Sequence, residues 1–184
     1  MEPYSQGDLD RLCSLYAVIN AVRLITEECE VNRIDQSQKL FNFLLSILED
    51  KGLLGVVLTK GAAQPLLSTL LREARAWLIH ELGIRMSYTK PFHRFPNTPA
   101  KAVRTTIADH LLSKRATAIV RLTFPYDHWT VIAASQERLF ALSDSNGLPH
   151  ITHRNWATAT GLISKRYRIS PTSIFLIKSE LGPL

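Results

Sequence analysis

Residues 116–144 decide the fold of this chain, and they read ATAIVRLTFPYDHWTVIAASQERLFALSD. Three apolar runs of strand length occupy residues 116–124, 128–134 and 138–144, and short turn-like segments separate them. Such short connections favour antiparallel pairing of consecutive strands. Together with TSIFLIKS at residues 172–179, these runs predict a mainly antiparallel sheet in the C-terminal half of the chain.

The N-terminal half of the chain has helical rather than strand periodicity. Apolar residues recur near helical spacing in four segments, at residues 13–28, 37–52, 62–82 and 100–114. Gly83 stands just beyond the third segment and predicts its end. Two shorter segments complete this half: a predicted strand, IRMSYT at residues 84–89, and a predicted apolar connector, LLGVVLTKG at residues 53–61.

Helices that precede strands predict an α+β protein. We expect an N-terminal helical half packed on a C-terminal, mainly antiparallel sheet. The chain has 184 residues, of which 46% are hydrophobic, and we find no internal repeat, low-complexity tract or convincing linker in it. This length and composition suit one domain with a sizeable core, spanning residues 1–184.

Cys13 lies at the start of the first predicted helix, which begins CSLYAV. Unpaired backbone N–H groups and the positive end of the helix dipole favour a thiolate over a thiol in a first helical turn. A dipole end contributes at most about 2 kcal/mol, whereas lowering a thiol pKa from about 8.5 to about 4 needs roughly 6 kcal/mol. A nucleophilic Cys13 therefore requires an imidazolium within reach.

His128 and Asp144 are the partners that the sequence predicts for Cys13. His128 opens one predicted strand, and Asp144 ends the next one, 16 positions later. In a hairpin with a short turn, this spacing returns Asp144 to a position beside His128, where its carboxylate can accept a hydrogen bond from the imidazole. The arrangement indicates a nucleophile, a base and a group that orients the base.

Each of these residues also has an ordinary structural interpretation. A cysteine in an apolar helix is more often a small buried hydrophobic residue, which is our interpretation of Cys29. A histidine before a strand is usually a satisfied surface or core group, and Asp144 lies in DSNG, a natural turn sequence. The joint pattern of chain order and position favours the catalytic interpretation over three coincidences.

The segments that carry these residues resemble a known superfamily. They read QGDLDRLCSLYAVINA, at residues 6–21, and HWTVIAASQERLFALSDSNG, at residues 128–147. Both are similar to papain-like cysteine peptidases, and most similar to the small bacterial peptidase domains of the C39 type. The resemblance is limited to about the first 25 residues and the segment 123–147. It implies a papain-like fold with the active-site cleft between the helical half and the sheet.

The same resemblance implies a role for each site residue. Cys13 would be the nucleophile, His128 the general base and acid, Asp144 the group that orients His128, and Gln6 a donor to the oxyanion hole beside the Cys13 N–H. Two positions depart from the superfamily's pattern. Gln6 lies seven positions before Cys13, one more than the usual interval, and Ser14 replaces the Gly or Trp that often follows the nucleophile. The alternative for Gln6 is an exposed loop residue.

We therefore expect a cysteine-dependent hydrolase that cleaves a peptide or isopeptide bond through a thioester intermediate. One alternative uses the same triad for glutamine deamidation or acyl transfer. Another is a catalytically silent papain-like domain that binds a peptide or protein. The resemblance makes peptides and proteins the expected substrates, with glycine-ended tails and ubiquitin-like proteins as one class.

The basic character of the chain does not by itself indicate nucleic-acid binding. The net charge is +6 and the pI is near 9.5, but the basic residues are dispersed and no nucleic-acid motif accompanies them. An ordinary solvated basic surface is the simpler interpretation. If the surface is functional, it better suits an acidic protein partner or the steering of an acidic substrate than nucleic acid. His150 and His153 in HITH lie on no predicted helix, so we assign no metal and no cofactor.

The sequence also bears on location. No uninterrupted apolar run approaches the roughly 20 residues of a membrane span, and the N-terminus MEPYSQGDLD lacks the features of a secretory signal. A free thiol is typical of a reducing compartment. We therefore expect no membrane association and a cytoplasmic location, with export that needs no N-terminal signal left open.

Overall fold

The computed structural model describes residues 3–5, 11–26, 34–158 and 167–181 of the chain. Its helices are α1 Cys13–Thr26, α2 Ile34–Asp50, α3 Leu54–Lys60, α4 Gln64–Leu82 and α5 Ala100–Leu111. Its strands are β1 Ile84–Thr89, β2 Ala116–Phe124, β3 His128–Ser135, β4 Leu139–Ser143, β5 His150–Thr152, β6 Trp156–Thr158, β7 Tyr167–Ile169 and β8 Phe175–Leu181. A short 3₁₀ turn, Pro171–Ser173, precedes β8.

The sheet is large and mainly antiparallel, as the sequence predicts. Its strands are ordered β1-β8-β2-β3-β4-β5, with every neighbouring pair antiparallel. Strand β7 pairs with the far end of β2 and runs parallel to β6. The sequence did not predict β5, β6 or β7, because each has three residues and is too short to show an alternating pattern.

Both faces of the sheet are covered, and β2 shows how. Ile119 packs on one face with Trp129 and Phe175 against helices α1 to α4. Its neighbours Ala118 and Val120 belong to a second core on the opposite face, where α5 and the aromatic rings of Phe140 and Trp156 lie. Burial on both faces explains why β2 is an apolar run instead of an alternating strand. The predicted packing of helices on the sheet holds for α1, whereas α5 covers the other side.

Helix α1 is almost wholly enclosed and lies along strands β2 and β3. Its buried Asn20 holds the N-terminal segment: the side-chain oxygen accepts the Tyr4 N–H at 2.9 Å, and the side-chain amide donates to the Tyr4 carbonyl at 3.3 Å. Because α1 begins at Cys13 beside β3, the packing brings the first turn of the helix to the end of the sheet where β3 starts.

The link between α2 and α4 differs from the prediction. Residues 54–60 form the short helix α3 where the sequence predicted an apolar connector. Only Val57 of this helix is buried, while Val56 and Leu58 are exposed. The seven-residue helix therefore contributes a single inward side chain and no repeating pattern. Gly83 ends α4 as expected: it adopts a left-handed conformation, and its N–H donates to the Ile79 carbonyl.

None of the helices in the described part of the chain combines the length and the apolar character needed to cross a membrane.

Candidate active site

Cys13 begins α1 and is nearly buried, with 6% of its surface exposed. The Leu12 carbonyl accepts the N–H groups of Leu15 and Tyr16, at 2.8 and 3.1 Å, which closes the first turn around the thiol. The N–H groups of Cys13 and Ser14 precede these bonds and have no acceptor within the helix. This is the position that the sequence predicts for the thiol, at the positive end of the helix dipole.

His128 and Asp144 form a buried pair beside Cys13. The His128 Nε2 and the Asp144 Oδ1 lie 2.6 Å apart, and each residue is only 2% exposed. The register of β3 with β4, in which Val131 pairs with Ser143, returns the chain to the start of β3, and Asp144 directly follows β4. The hydrogen bond that the spacing of 16 residues predicts is therefore present.

The turn after β4 holds the second oxygen of the Asp144 carboxylate. Its Oδ2 accepts the backbone N–H groups of Asn146 at 3.0 Å and Leu148 at 3.1 Å. Gly147 lies between them with a positive φ of 77°. Both carboxylate oxygens are thus hydrogen-bonded. The same side chain stabilises the DSNG turn through Oδ2 and contacts His128 through Oδ1.

The charges of this pair are coupled. Burial opposes ionisation of Asp144, but the hydrogen bond and positive charge of His128 outweigh it and lower the Asp144 pKa below its ordinary value of 3.8. Burial also opposes the imidazolium, yet hydrogen bonds to Asp144 and then to Cys13 raise the pKa of His128 from 6.5 to about 9. At neutral pH the ring is therefore an imidazolium. Since Nε2 faces Asp144, Nδ1 is the nitrogen left for Cys13.

Trp129 joins the site to the helical layer. Its buried indole Nε1 donates to the Ala62 carbonyl at 2.8 Å, and its ring packs edge-on against Phe175 at a centroid distance of 6.1 Å. Ala62 lies between α3 and α4, so this bond connects the strand that carries His128 to the α3–α4 link. Nothing in the sequence indicated Ala62 as the partner of this indole.

An ion pair that the sequence did not indicate stands next to the triad. The Arg121 guanidinium donates to both carboxylate oxygens of Asp127, with Nε to Oδ1 at 2.6 Å, and lies 5.6 Å from the centre of the Trp129 ring. The hydrogen bond to Asp127 raises the Arg121 pKa against the effect of burial, and negative charge at Cys13 acts in the same direction. Tyr126 adds an edge-on contact to the His128 ring at 5.7 Å.

These residues surround a cleft of about 280 Å³. One wall is formed by α1 and the α3–α4 link, and the other by the residues around the start of β3 and the turn after β4. The lining residues are Arg11, Cys13, Lys60, Gly61, Ala62, Tyr126, Asp127, His128, Trp129 and Asn146. Both Cys13 and His128 face this space, so a substrate carbonyl placed there would meet the sulfur and the imidazole together.

The remaining predicted site residues are not all placed. Gln6, the predicted oxyanion donor, lies outside the described residues, as does Cys29. Ser14, which departs from the superfamily's pattern, is fully buried, and its Oγ has no hydrogen-bond partner among the residues that the structure describes. Within the described ranges, no three His, Cys, Asp or Glu side chains cluster as metal ligands.

Comparison of the chain with protein-family models, with curated proteins and with solved structures gave no match in any of the three.

Proposed function

We propose that this protein is a papain-like cysteine hydrolase that cleaves a peptide or isopeptide bond. The observation that supports the proposal most strongly is that three side chains lie together, each in an environment that suits its expected catalytic role. Cys13 occupies a helix start, His128 has a pKa raised to about 9 by Asp144 and Cys13, and Asp144 has both oxygens engaged. A buried imidazolium next to a thiol stabilises the thiolate, which is the nucleophilic form of cysteine.

The reaction follows from the order of contacts. The Cys13 thiolate attacks the substrate carbonyl carbon, and the developing oxyanion is stabilised by the Cys13 N–H, with Gln6 as the expected second donor. His128 transfers its proton to the leaving amine, the C–N bond breaks, and a thioester remains on Cys13. Neutral His128 then removes a proton from water, which attacks the thioester and releases the carboxylic acid and the thiolate. Asp144 keeps the imidazole in one orientation throughout.

Glutamine deamidation and acyl transfer would use the same thioester, with ammonia as leaving group in the first and another nucleophile in place of water in the second. A binding domain without activity would need the same cleft but not the buried ion pair of His128 and Asp144 beside Cys13. This pair is the reason why we favour a hydrolase. A free thiol of this kind suits a reducing cytoplasm.

The first test is the pH dependence of Cys13 alkylation by iodoacetamide, in the Cys29→Ala background. We expect rapid labelling that persists well below pH 7 and is lost in His128→Ala. His150→Ala is the matched control, since His150 is exposed and lies on β5, outside the cleft lining. A labelling rate that is the same in His128→Ala and rises only near pH 8.5, as for an ordinary thiol, would contradict the proposal.

The second test asks what the site cleaves. A peptide library is incubated with the natural chain and with Cys13→Ser, and new peptide termini are identified by mass spectrometry. Hydrolysis predicts new carboxyl termini that appear only with the natural chain. A mass increase of glutamine side chains by about 1 Da without cleavage would identify a deamidase instead. No product of either kind from a chain with a reactive Cys13 would contradict both hydrolysis and deamidation, and acyl transfer and the binding domain would be the alternatives left.

A further inference from the structure

The cleft at Cys13 adjoins a second, larger groove. This groove has a volume of about 580 Å³ and shares Lys60, Gly61 and Ala62 with the cleft. We name it the α3–α4 groove, because helix α3, the start of α4 and the link between them supply most of its lining. The two spaces therefore meet at the link between α3 and α4.

The wall of the α3–α4 groove is largely apolar. Leu53, Val56, Val57, Pro65 and Leu66 line it. Val56 is 48% exposed, whereas Val57 on the same helix is buried. Exposed apolar surface in a concave site next to a reactive thiol is typical of a region that receives side chains of a ligand.

The charges around this surface are mainly positive. Lys51 and Lys60 line the groove, Lys60 and Arg11 line the cleft, and all three side chains are exposed. None of the three forms an ion pair with another residue in the described part of the chain. Among the described residues, Asp127 is the one acidic residue that lines either space, and Arg121 already pairs with it. The positive charge of the other three is therefore free to attract an anionic ligand.

We propose that the α3–α4 groove binds the part of a polypeptide substrate next to the scissile bond, and that this part carries apolar side chains flanked by Asp or Glu. The inference rests on the proposed hydrolase function. An extended peptide alternates its side chains on two sides, so apolar residues can enter the groove while the acidic residues between them meet Lys51 and Lys60 at its rim.

Binding to the full chain carrying Cys13→Ala tests the groove without requiring catalysis. Three fluorescein-labelled peptides of equal length are compared by polarisation: alternating Glu and Leu, alternating Lys and Leu, and alternating Glu and Ser. We expect the Glu-Leu peptide to bind at least tenfold more tightly than the other two. Equal affinities for the three peptides would overturn the proposal.

Charge-reversed variants locate the binding surface. Lys51→Glu with Lys60→Glu is expected to weaken binding of the Glu-Leu peptide at least tenfold. The double variant Lys39→Glu and Lys101→Glu is the matched control, since these lysines are also exposed but line neither space. An equal loss in both double variants would show an effect of net charge alone and would contradict a groove site.

The apolar contribution has its own pair of variants. Val56→Asn should lower the affinity for the Glu-Leu peptide at least threefold. Leu112→Asn changes an exposed residue that lines neither space, and it should leave the affinity unchanged. Because Val56 and Leu112 are both exposed, neither change is expected to prevent folding. Equal affinity of the two variants would rule out the α3–α4 groove as the apolar subsite.

A protection assay connects the groove to Cys13. The unlabelled Glu-Leu peptide should slow iodoacetamide alkylation of Cys13 in the natural chain, and a peptide that binds without slowing it would contradict a path into the cleft. Binding to phosphatidylserine vesicles is measured in parallel. Vesicle binding that depends on Lys51 and Lys60, without any peptide preference, would assign the surface to lipid and overturn the proposal. An unreactive Cys13 with selective peptide binding would refute the hydrolase instead of the groove.

Discussion

The indole N–H of Trp129 donates to the Ala62 carbonyl at 2.8 Å across 67 positions of sequence. Trp129 directly follows His128, and Ala62 lines both the cleft and the α3–α4 groove. One buried hydrogen bond thus fixes the distance between the strand that carries His128 and the wall opposite it. The width of the cleft depends on this contact.

Trp129→Phe is expected to lower the free energy of unfolding by about 1–3 kcal/mol, because it leaves the buried Ala62 carbonyl without its donor while keeping most of the ring. Urea denaturation measures the change. Trp156→Phe is the matched control, since the Trp156 Nε1 is buried without a partner among the described residues and its loss should cost less. A larger loss for Trp156→Phe than for Trp129→Phe would contradict this role of the indole bond.

The raised pKa of His128 should make the stability of the fold depend on pH. Its pKa is raised from 6.5 to about 9 on folding, so the folded chain holds this proton more tightly than the unfolded chain. The resulting stabilisation, on the order of 3 kcal/mol, is complete below pH 6.5 and is lost as pH rises through about 9. The stability difference between the natural chain and His128→Gln should therefore shrink by this amount between pH 6 and pH 10.

Urea titrations at both pH values check that prediction, with His150→Gln as the exposed control. The change should be smaller in a Cys13→Ala background, because Cys13 supplies part of the shift in the His128 pKa. A stability difference that stays constant from pH 6 to pH 10 would show that folding does not raise the His128 pKa.

Asp144→Ala should destabilise the fold by about 3–5 kcal/mol, because it removes one partner of a buried ion pair. It also leaves the N–H groups of Asn146 and Leu148 without their acceptor. Asp144→Asn should cost less than Asp144→Ala, because the amide oxygen still accepts hydrogen bonds in place of one of the two carboxylate oxygens. Thermal or urea unfolding ranks the variants, and alkylation of Cys13 near pH 6 should slow in the same order. Equal stability of the two variants would contradict a structural use of both oxygens.

Gly147→Ala should lower the free energy of unfolding by about 1 kcal/mol, because Gly147 has a φ of 77° and an L residue is strained there. Gly55→Ala, within α3, should instead stabilise by about 0.5–1 kcal/mol. A Cβ at either position meets nothing within 4 Å, so the pair separates backbone conformation from packing. The same sign of change for both variants, measured by urea denaturation, would refute this explanation.

Much of the fold follows from local patterns. The helices α1, α2, α4 and α5 and the strands β1 to β4 lie where periodicity predicts them, because each is long enough to show its pattern. Helix α3 and strands β5 to β7 were not predicted. Each is too short to show a repeating pattern. Strand β7 also pairs with β2, whose residues lie more than 40 positions earlier.

The triad and its surroundings divide in the same way. The Cys13, His128 and Asp144 positions could be predicted because a helix start and a hairpin register place them by local geometry. Arg121, Asp127 and Ala62 could not. Arg121 lies within an apolar strand and Asp127 in a turn, and their pairing beside the cleft becomes visible only when β2 and β3 are placed side by side.

The sequence by itself determined the elements and the three chemical groups, since periodicity, helix capping and hairpin spacing act over a few residues. Only the tertiary structure decided which faces of the sheet are covered, how wide the cleft is, and how far the pKa of His128 moves. Those properties depend on burial and on charges at distances of a few ångströms. Such contacts arise between residues far apart in the chain, where no local pattern records them.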